Sequence, residues 1–251
     1  MLEFSDMSFT YDKKTPVLEK LSFSIPGEKI TCLIGPNACG KSTLLRLAAG
    51  LLRPTAGSIA VSGHDLGVLP PKERAKRISF FPQWRTVPDI TVFDLAAHGR
   101  YPHLSRRHVL SQKDRDIIEN ALRLTGAWEF SHRRLTSLSG GQRQRACLAM
   151  TVAQDTPLIL LDEPTAYLDI RVQYELMALL RTLADGGKTV VMVLHDLPLA
   201  LERSDYALLL ADGKLQCCGA PREIAQSGAV DKVFGIALKK NKYGYTALPL
   251  I

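Results

Sequence analysis

The alternation of apolar and polar residues divides the chain into stretches with different predicted structures. Residues 1–30 alternate with a period of two, which predicts an antiparallel β-subdomain. Residues 31–85 begin with a short apolar strand, continue as a helix and end in further strands. Residues 86–155 have helical patterning with weak strand signals, and residues 156–225 return to alternating strands and helices. This alternation is typical of a mostly parallel sheet with helices on both faces.

The individual elements follow from the same pattern. Asp212-Gly213 is a hairpin signal after an apolar run. We expect one domain over residues 1–235, with residues 1–85 and 156–225 as core and residues 86–155 as a helical subdomain, and a tail over 236–251 that forms a hairpin. The predicted helices span residues 43–52, 91–99, 112–125, 141–154, 171–184 and 198–203, and the predicted buried strands span 30–34, 158–161, 190–194 and 207–211.

The first of these buried strands leads into a glycine-rich sequence that predicts a phosphate-binding loop. Residues 35–42 match G-x-x-x-x-G-K-[ST] between a strand and a helix, the context that this motif requires. Backbone N–H groups and the helix N-terminus would surround the phosphates, Lys41 would supply a full charge, and the Ser42 hydroxyl would ligate Mg²⁺. A glycine-rich turn with a chance lysine is the structural alternative. The candidate nucleotide-binding residues are Gly35, Pro36, Asn37, Ala38, Cys39, Gly40, Lys41, Ser42 and Thr43.

Two residues inside this loop have further consequences. If position 38 needs a positive φ, the Cβ of Ala38 costs roughly 1–2 kcal/mol, because only glycine adopts that region freely. Cys39 lies beside Lys41 and a helix N-terminus, and such surroundings favour the thiolate. We therefore expect thiol reagents to block nucleotide binding through Cys39.

Two adjacent carboxylates end the apolar run at residues 158–161. Asp162 is expected to hold Mg²⁺, and Glu163 to lie beside the γ-phosphate, where a carboxylate orients or deprotonates the attacking water. A charged pair that only ends a strand is the structural alternative. The phosphate-binding loop earlier in the chain favours the catalytic interpretation.

Residues 138–142 read Leu-Ser-Gly-Gly-Gln, and together with the loop and the acid pair they make the chain resemble the nucleotide-binding subunit of ATP-binding cassette (ABC) transporters. The resemblance implies an α/β P-loop NTPase cassette with a RecA-like core, an N-terminal antiparallel β-subdomain and a helical subdomain. It also implies a head-to-tail homodimer, in which each ATP lies between the phosphate loop of one copy and this segment of the other. The residues that it assigns to this cap are Ser139, Gly140, Gly141 and Gln142. The structural alternative is a plain Ser-Gly helix N-cap.

The resemblance assigns roles to four more residues. Tyr11 falls where an aromatic ring stacks on adenine, although a lone Tyr there is otherwise a surface residue. Gln83 matches the glutamine that contacts Mg²⁺ and the attacking water, and it begins the segment that contacts the membrane partner. Asp169 matches an aspartate that crosses the dimer interface. His195 matches a histidine at the γ-phosphate, although a His at a strand end is more often structural.

Composition restricts the cellular compartment and the partners that we expect for the protein. No apolar run is long enough for a transmembrane helix, and the first residues lack a secretory signal. The 5 cysteines have no metal-like spacing, which suggests reduced thiols in the cytosol. The net charge of +7 includes a basic stretch between Arg100 and Arg145, which suits a solvated surface near a membrane partner better than nucleic acid. We expect a peripheral protein on the cytoplasmic face of the inner membrane, with no nucleic-acid partner.

The segment Gly99-Arg100-Tyr101-Pro102-His103 narrows the class of transporter. It resembles a segment of the cassettes that serve iron–siderophore, haem and cobalamin importers. Pro102 disfavours helix at the preceding residue, which predicts a shaped loop between two helices where a permease subunit could dock. We expect an ATPase that powers a metal-chelate importer, with an extracytoplasmic binding protein as an indirect partner. An exporter, another small-solute importer, or a soluble ABC ATPase of nucleic-acid or ribosome processes are the alternatives.

Overall fold

The computed structural model describes residues 1–12, 14–81, 87–105, 109–166, 168–242 and 244–249. Within these residues, the strands are β1 Leu2–Thr10, β2 Pro16–Ile25, β3 Ile30–Ile34, β4 Ala56–Val61, β5 His64–Asp65, β6 Ile78–Phe81, β7 Leu158–Asp162, β8 Thr189–Val193, β9 Tyr206–Ala211, β10 Lys214–Gly219, β11 Ile236–Asn241 and β12 Gly244–Pro249. The α-helices are α1 Lys41–Ala48, α2 Pro71–Ala75, α3 Val92–His98, α4 Gln112–Leu124, α5 Gly140–Ala153, α6 Ile170–Asp185, α7 Leu197–Arg203, α8 Pro221–Gln226 and α9 Ala229–Phe234.

A mostly parallel sheet with the strand order β10-β9-β3-β8-β7-β6 forms the centre of the described chain, with β10 antiparallel to β9. β3, β7 and β8 are buried along their whole length, as expected for parallel strands that are covered on both faces. Leu33 pairs with Val193, and Val193 pairs with Asp162. This register brings the carboxyl ends of the three strands to one edge of the sheet, where ligands bind in open α/β folds.

A second, antiparallel sheet has the order β2-β1-β4-β5. Its apolar face and α1 enclose one hydrophobic core together with one side of the parallel sheet. The other side of the parallel sheet packs in a second core that includes residues of α3, α4, α5 and α6. The two cores fix α1, and with it the loop that precedes α1, against the end of β3.

The segment around Arg100 joins the helices between β6 and β7. The Arg100 side chain is buried, its Nε donates to Asp114 Oδ1 at 3.0 Å, and its Nη1 donates to the Ala153 carbonyl at 2.9 Å. His103 Nε2 donates to the Gln154 carbonyl at 2.8 Å, and a Cβ on Gly99 would overlap the carbonyl oxygen of Met150. These contacts fasten the segment to the N-terminus of α4 and the C-terminus of α5.

Asp114→Asn is expected to lower the free energy of unfolding by about 3–5 kcal/mol, because it leaves the Arg100 charge buried without its carboxylate. Glu119→Gln is the matched control, since Glu119 pairs with Arg123 at 2.6 Å on an exposed part of the same helix. That change should cost less than about 1 kcal/mol. Urea denaturation measures both variants, and equal effects would contradict the structural role given to Arg100.

β11 and β12 pair as an antiparallel hairpin near the C-terminal end of the described chain. The hairpin lies against α7, where the backbone N–H of Tyr245 donates to Glu202 Oε1 at 2.8 Å. It also contacts α9, where Leu238 N–H donates to Asp231 Oδ1 at 2.9 Å. None of the helices in the described residues combines the length and apolar character needed to cross a bilayer.

Candidate nucleotide site

The loop between β3 and α1 has the backbone that a phosphate-binding loop requires. Ala38 has φ 62°, Gly40 has φ 103° and Gly35 has φ 156°, so three positions have a positive φ that favours glycine. The condition for strain at Ala38 is therefore met, whereas Gly40 carries no such penalty. A Cβ on Gly40 would also lie 2.6 Å from Leu18 Cδ2, so the close approach of β2 to the loop requires glycine there.

Lys41 is the first residue of α1, and it is buried. Its Nζ donates to the carbonyls of Gly35 at 2.8 Å and Pro36 at 2.7 Å. The ammonium group is thus held over the mouth of the loop by two neutral acceptors. An anionic phosphate oxygen is a stronger acceptor than a carbonyl, because charge-assisted hydrogen bonds are about twice as strong as neutral ones.

Ser42 and Asp162 bring two oxygen donors together from α1 and the end of β7. Ser42 Oγ donates to Asp162 Oδ1 at 2.9 Å. Asp162 is buried, and desolvation raises its pKa, opposed by the hydrogen bond from Ser42. A hydroxyl and a carboxylate are hard oxygen ligands, the kind that Mg²⁺ takes in partly hydrated sites. The donor set beside the loop therefore fits Mg²⁺.

Glu163 follows Asp162, and its carboxylate faces His195, which lies shortly after the end of β8. His195 Nε2 lies 2.7 Å from Glu163 Oε1, and both side chains are only partly exposed. Glu163 has φ 52°, an uncommon backbone conformation for a residue with a Cβ, which the surrounding structure must hold in place. Asp162, Glu163 and His195 therefore meet at the edge of the sheet where the phosphate loop lies.

Glu163 and His195 line an open cleft of about 540 Å³ together with Lys41 and Ser42. Tyr11, directly after β1, and Val17 of β2 also line this cleft. The Tyr11 ring is exposed, packs edge-on against Phe9 at 4.8 Å between centroids, and places its hydroxyl 3.2 Å from Thr43 Oγ1. An exposed ring held by two contacts offers a face on which a planar base can stack.

The sequence motif at residues 138–142 begins α5 and does not line this cleft. Ser139 is the N-cap: its Oγ accepts the backbone N–H of Gln142 at 3.3 Å, and Gln142 Oε1 accepts the N–H of Ser139 at 3.1 Å. Asp169 similarly caps α6, since its Oδ1 accepts the N–H of Val172 at 2.9 Å. The cap at residues 139–142 leaves Gly140 open to solvent, with space around its Cα.

Comparison with known proteins agrees with this geometry. The family model described as "ABC transporter" matches residues 18–166, which is more than half of the chain. The chain belongs to the ABC transporter ATP-binding family.

Relatives and solved structures of this family resemble the chain over most of its length. The petrobactin import ATP-binding protein FpuD of Bacillus anthracis is 42% identical over 93% of the chain and 86% of the relative. The ferric enterobactin transport ATP-binding protein FepC of Escherichia coli is 40% identical over 94% of the chain and 87% of the relative. A metal-chelate type ABC transporter in an inward-facing conformation has a TM-score of 0.83, with 30% identity, over 100% of this chain and 97% of that one. The predicted α/β cassette fold is confirmed.

One expectation for this ABC cassette is wrong. Cys39 was expected to have an acidic thiol, but the side chain is buried, and desolvation raises its pKa more than Lys41, whose Nζ is 3.9 Å from the sulfur, lowers it. Burial in the core between the two sheets outweighs the nearby charge because the thiolate loses its hydration.

We therefore expect maleimide at neutral pH to label the exposed Cys218 well before Cys39. Peptide mass spectrometry after timed quenching measures both rates in the same sample. Labelling of Cys39 first, with loss of nucleotide binding, would restore the original expectation.

The residues predicted for the cassette site and the residues that the structure places there are not the same set. Gln83 lies outside the described residues, so its predicted contacts stay a prediction. Val17 and Phe9 contribute to the cleft wall and its aromatic contact, and neither was predicted. Both are apolar residues on strands in which apolar and polar positions alternate. This pattern does not distinguish a residue in the wall of a site from an ordinary core residue.

Proposed function

We propose that the chain is the ATP-hydrolysing subunit of an importer for a metal chelate of the iron–siderophore, haem or cobalamin type. The subclass is supported by the relatives described above, whose names refer to petrobactin and ferric enterobactin. A further relative, the cobalamin import ATP-binding protein BtuD of Halobacterium salinarum, is 39% identical over 88% of the chain and 55% of the relative. An exporter or another small-solute importer is the alternative.

ATP hydrolysis is supported by one observation: five side chains meet at one edge of the parallel sheet. They are Lys41, Ser42, Asp162, Glu163 and His195. Lys41 and the loop N–H groups bind the phosphates of ATP and orient them toward the acid pair. Ser42 and Asp162 hold Mg²⁺ through their oxygens. When bound, Mg²⁺ neutralises charge on the β- and γ-phosphate oxygens.

Glu163 is the general base in this proposal. Its carboxylate accepts a proton from the attacking water. In the structure, His195 Nε2 donates its N–H to Glu163 and fixes the orientation of the carboxylate. When ATP binds, His195 would donate this N–H to the γ-phosphate instead, because an imidazole with one N–H group donates to one acceptor at a time. Gln83 is expected to complete the set by contacting Mg²⁺ and the water.

Tyr11 stacks on the adenine ring in the same proposal. The supporting contacts are its exposed face, the edge-on packing on Phe9, and the hydrogen bond to Thr43, which directly follows Ser42 in α1. These contacts tie the antiparallel sheet to the phosphate loop. The Tyr11 ring is therefore held in place relative to the phosphate loop.

Two copies of the chain are proposed to close head to tail around two ATP molecules. The capped N-terminus of α5, with Ser139, Gly140, Gly141 and Gln142, would contact the γ-phosphate held by the other copy. A helix N-terminus favours an anionic partner, which supports this assignment. Asp169 would cross the interface. A dimeric bacterial ABC transporter cassette with a TM-score of 0.80 and 26% identity supports a homodimer.

Permease subunits are proposed to dock beside residues 99–103, on the cytoplasmic face of the inner membrane. Arg100 and His103 are tied to the helices that surround them, whereas the Tyr101 side chain is 58% exposed and Val109 is 68% exposed. Rigid support below exposed apolar side chains is typical of a protein-contact surface. An extracytoplasmic binding protein would deliver the chelate to the permease.

The proposal is tested by tagging the chain in its native host, solubilising membranes in mild detergent, and identifying stoichiometric partners by mass spectrometry. We expect a polytopic membrane protein, and addition of its chelate should stimulate ATP hydrolysis in the purified complex. Tyr101→Ala should weaken this association. Recovery of a ribosomal or nucleic-acid partner, with no membrane protein, would contradict the transporter assignment.

A further inference from the structure

α5 is bonded directly to the turn that follows the proposed general base. In its second turn, Gln144 Nε2 donates to the carbonyl of Pro164, the residue after Glu163. Through Gln144, α5 therefore contacts the turn that begins at Glu163 and ends at Ala166.

The position of the Glu163 carboxylate depends on this segment. Glu163 has φ 52°, so its side-chain direction is set by a backbone conformation that the residue does not prefer. The turn is closed by the Ala166 N–H, which donates to the Glu163 carbonyl at 3.1 Å. Pro164 has no N–H to donate, and its carbonyl accepts from Gln144. Loss of that donor would release the turn next to the reacting group.

Packing around this bond is incomplete. A cavity of about 230 Å³ lies between α4 and α5 on one side and α6 on the other, with Gln144, Pro164 and Leu168 in its wall. Apolar side chains therefore fill only part of the space between α5 and α6. Among the described residues, two polar contacts cross here, the one from Gln144 and the pair between Arg145 Nη2 and Glu175 Oε2 at 3.0 Å. Of these two, the Gln144 contact reaches the residue next to Glu163.

We propose that Gln144 is a positioning residue for Glu163. Its donor holds the Pro164 carbonyl, and with it the turn from Glu163 to Ala166 that sets the direction of the Glu163 carboxylate. The inference rests on the proposed function, in which Glu163 is the general base.

Gln144→Met tests this role, because it keeps the length of the side chain and removes the donor. We expect kcat for ATP hydrolysis to fall about five- to tenfold, the effect of one lost hydrogen bond that holds the turn beside Glu163, with unchanged ATP binding in the absence of Mg²⁺. The matched control is Gln173→Met. Gln173 Nε2 donates to the Leu168 carbonyl at 3.0 Å, so this change removes the same kind of bond farther along the chain from Glu163, on α6.

Equal kcat for Gln144→Met and wild type, or equal losses in Gln144→Met and Gln173→Met, would overturn the inference. Gln144→Glu, which has the same shape without a donor, replaces Gln144→Met if the latter does not fold.

Failure of the inference is distinguishable from failure of the proposed function. Wild-type chain that does not hydrolyse ATP, alone or with its membrane partner, would contradict the proposed function itself. Wild-type hydrolysis that is silenced by Glu163→Gln, together with wild-type kcat in Gln144→Met, would contradict only the role of Gln144.

Discussion

Glu163→Gln is expected to lower kcat for ATP hydrolysis by about 10²–10⁴-fold and to leave ATP binding intact. The amide has nearly the same shape as the carboxylate, and its oxygen still accepts the hydrogen bond from His195, so the geometry of the cleft is kept. What it loses is the ability to take a proton from water. With hydrolysis blocked and binding kept, the closed dimer should accumulate in the presence of ATP and Mg²⁺.

Phosphate release measures the rate, and size-exclusion chromatography with light scattering measures the dimer. Glu129→Gln is a control for the same chemical change, since Glu129 is exposed between α4 and α5. Turnover at the wild-type rate by Glu163→Gln would contradict the role of Glu163 as general base. Loss of ATP binding would indicate a structural role instead.

Lys41→Ala is expected to weaken ATP binding by about ten- to a hundredfold, because a charged donor to a phosphate is worth about 1.5–3 kcal/mol. Lys41 is buried at the first turn of α1 and bonded to the Gly35 and Pro36 carbonyls, so its removal also leaves these acceptors without their donor. Hydrolysis should therefore be lost together with binding, in contrast to Glu163→Gln.

Fluorescent-nucleotide titration measures the affinity, and thermal unfolding checks that the loop change leaves the fold intact. Lys239→Ala removes an exposed ammonium of β11 and should bind ATP as the wild type does. Unchanged ATP affinity in Lys41→Ala would contradict the phosphate role of the loop.

The buried strands could be predicted from sequence because each is a continuous apolar run with a clear end. The predicted strand over 158–161 appears as β7 Leu158–Asp162, and the predicted strand over 190–194 appears as β8 Thr189–Val193. Their order in the sheet could not be predicted in the same way. It depends on pairing between strands that are far apart in the chain, on which local patterns give no information.

Helix ends were less predictable. The helix predicted over 43–52 appears as α1 Lys41–Ala48, because Gly50 has φ 65° and turns the chain away. Leu51, which made the apolar pattern seem longer, is 60% exposed. α2 Pro71–Ala75 was not predicted, since it contains no buried residue and therefore has no apolar periodicity.

The same distinction between local patterns and long-range contacts applies to the candidate site. The phosphate loop is a local motif, so its residues and their backbone needs follow from sequence alone. The burial that raises the pKa of Cys39, the ion pair of Arg100 with Asp114 and the bond from Gln144 to Pro164 are tertiary contacts between residues with unremarkable local sequence. Such contacts become visible only when the packing of the subdomains is known.

The most direct test of the proposed function is uptake of a radio-iron-labelled siderophore by the native host after deletion of the chromosomal copy of this chain. The wild-type chain, supplied in trans, should restore energy-dependent accumulation inside the cell, and Glu163→Gln at equal expression should not. Uptake that is unaffected by the deletion for every iron–siderophore, haem and cobalamin chelate tested, or that is restored equally by Glu163→Gln, would contradict the assignment as the ATPase of a metal-chelate importer.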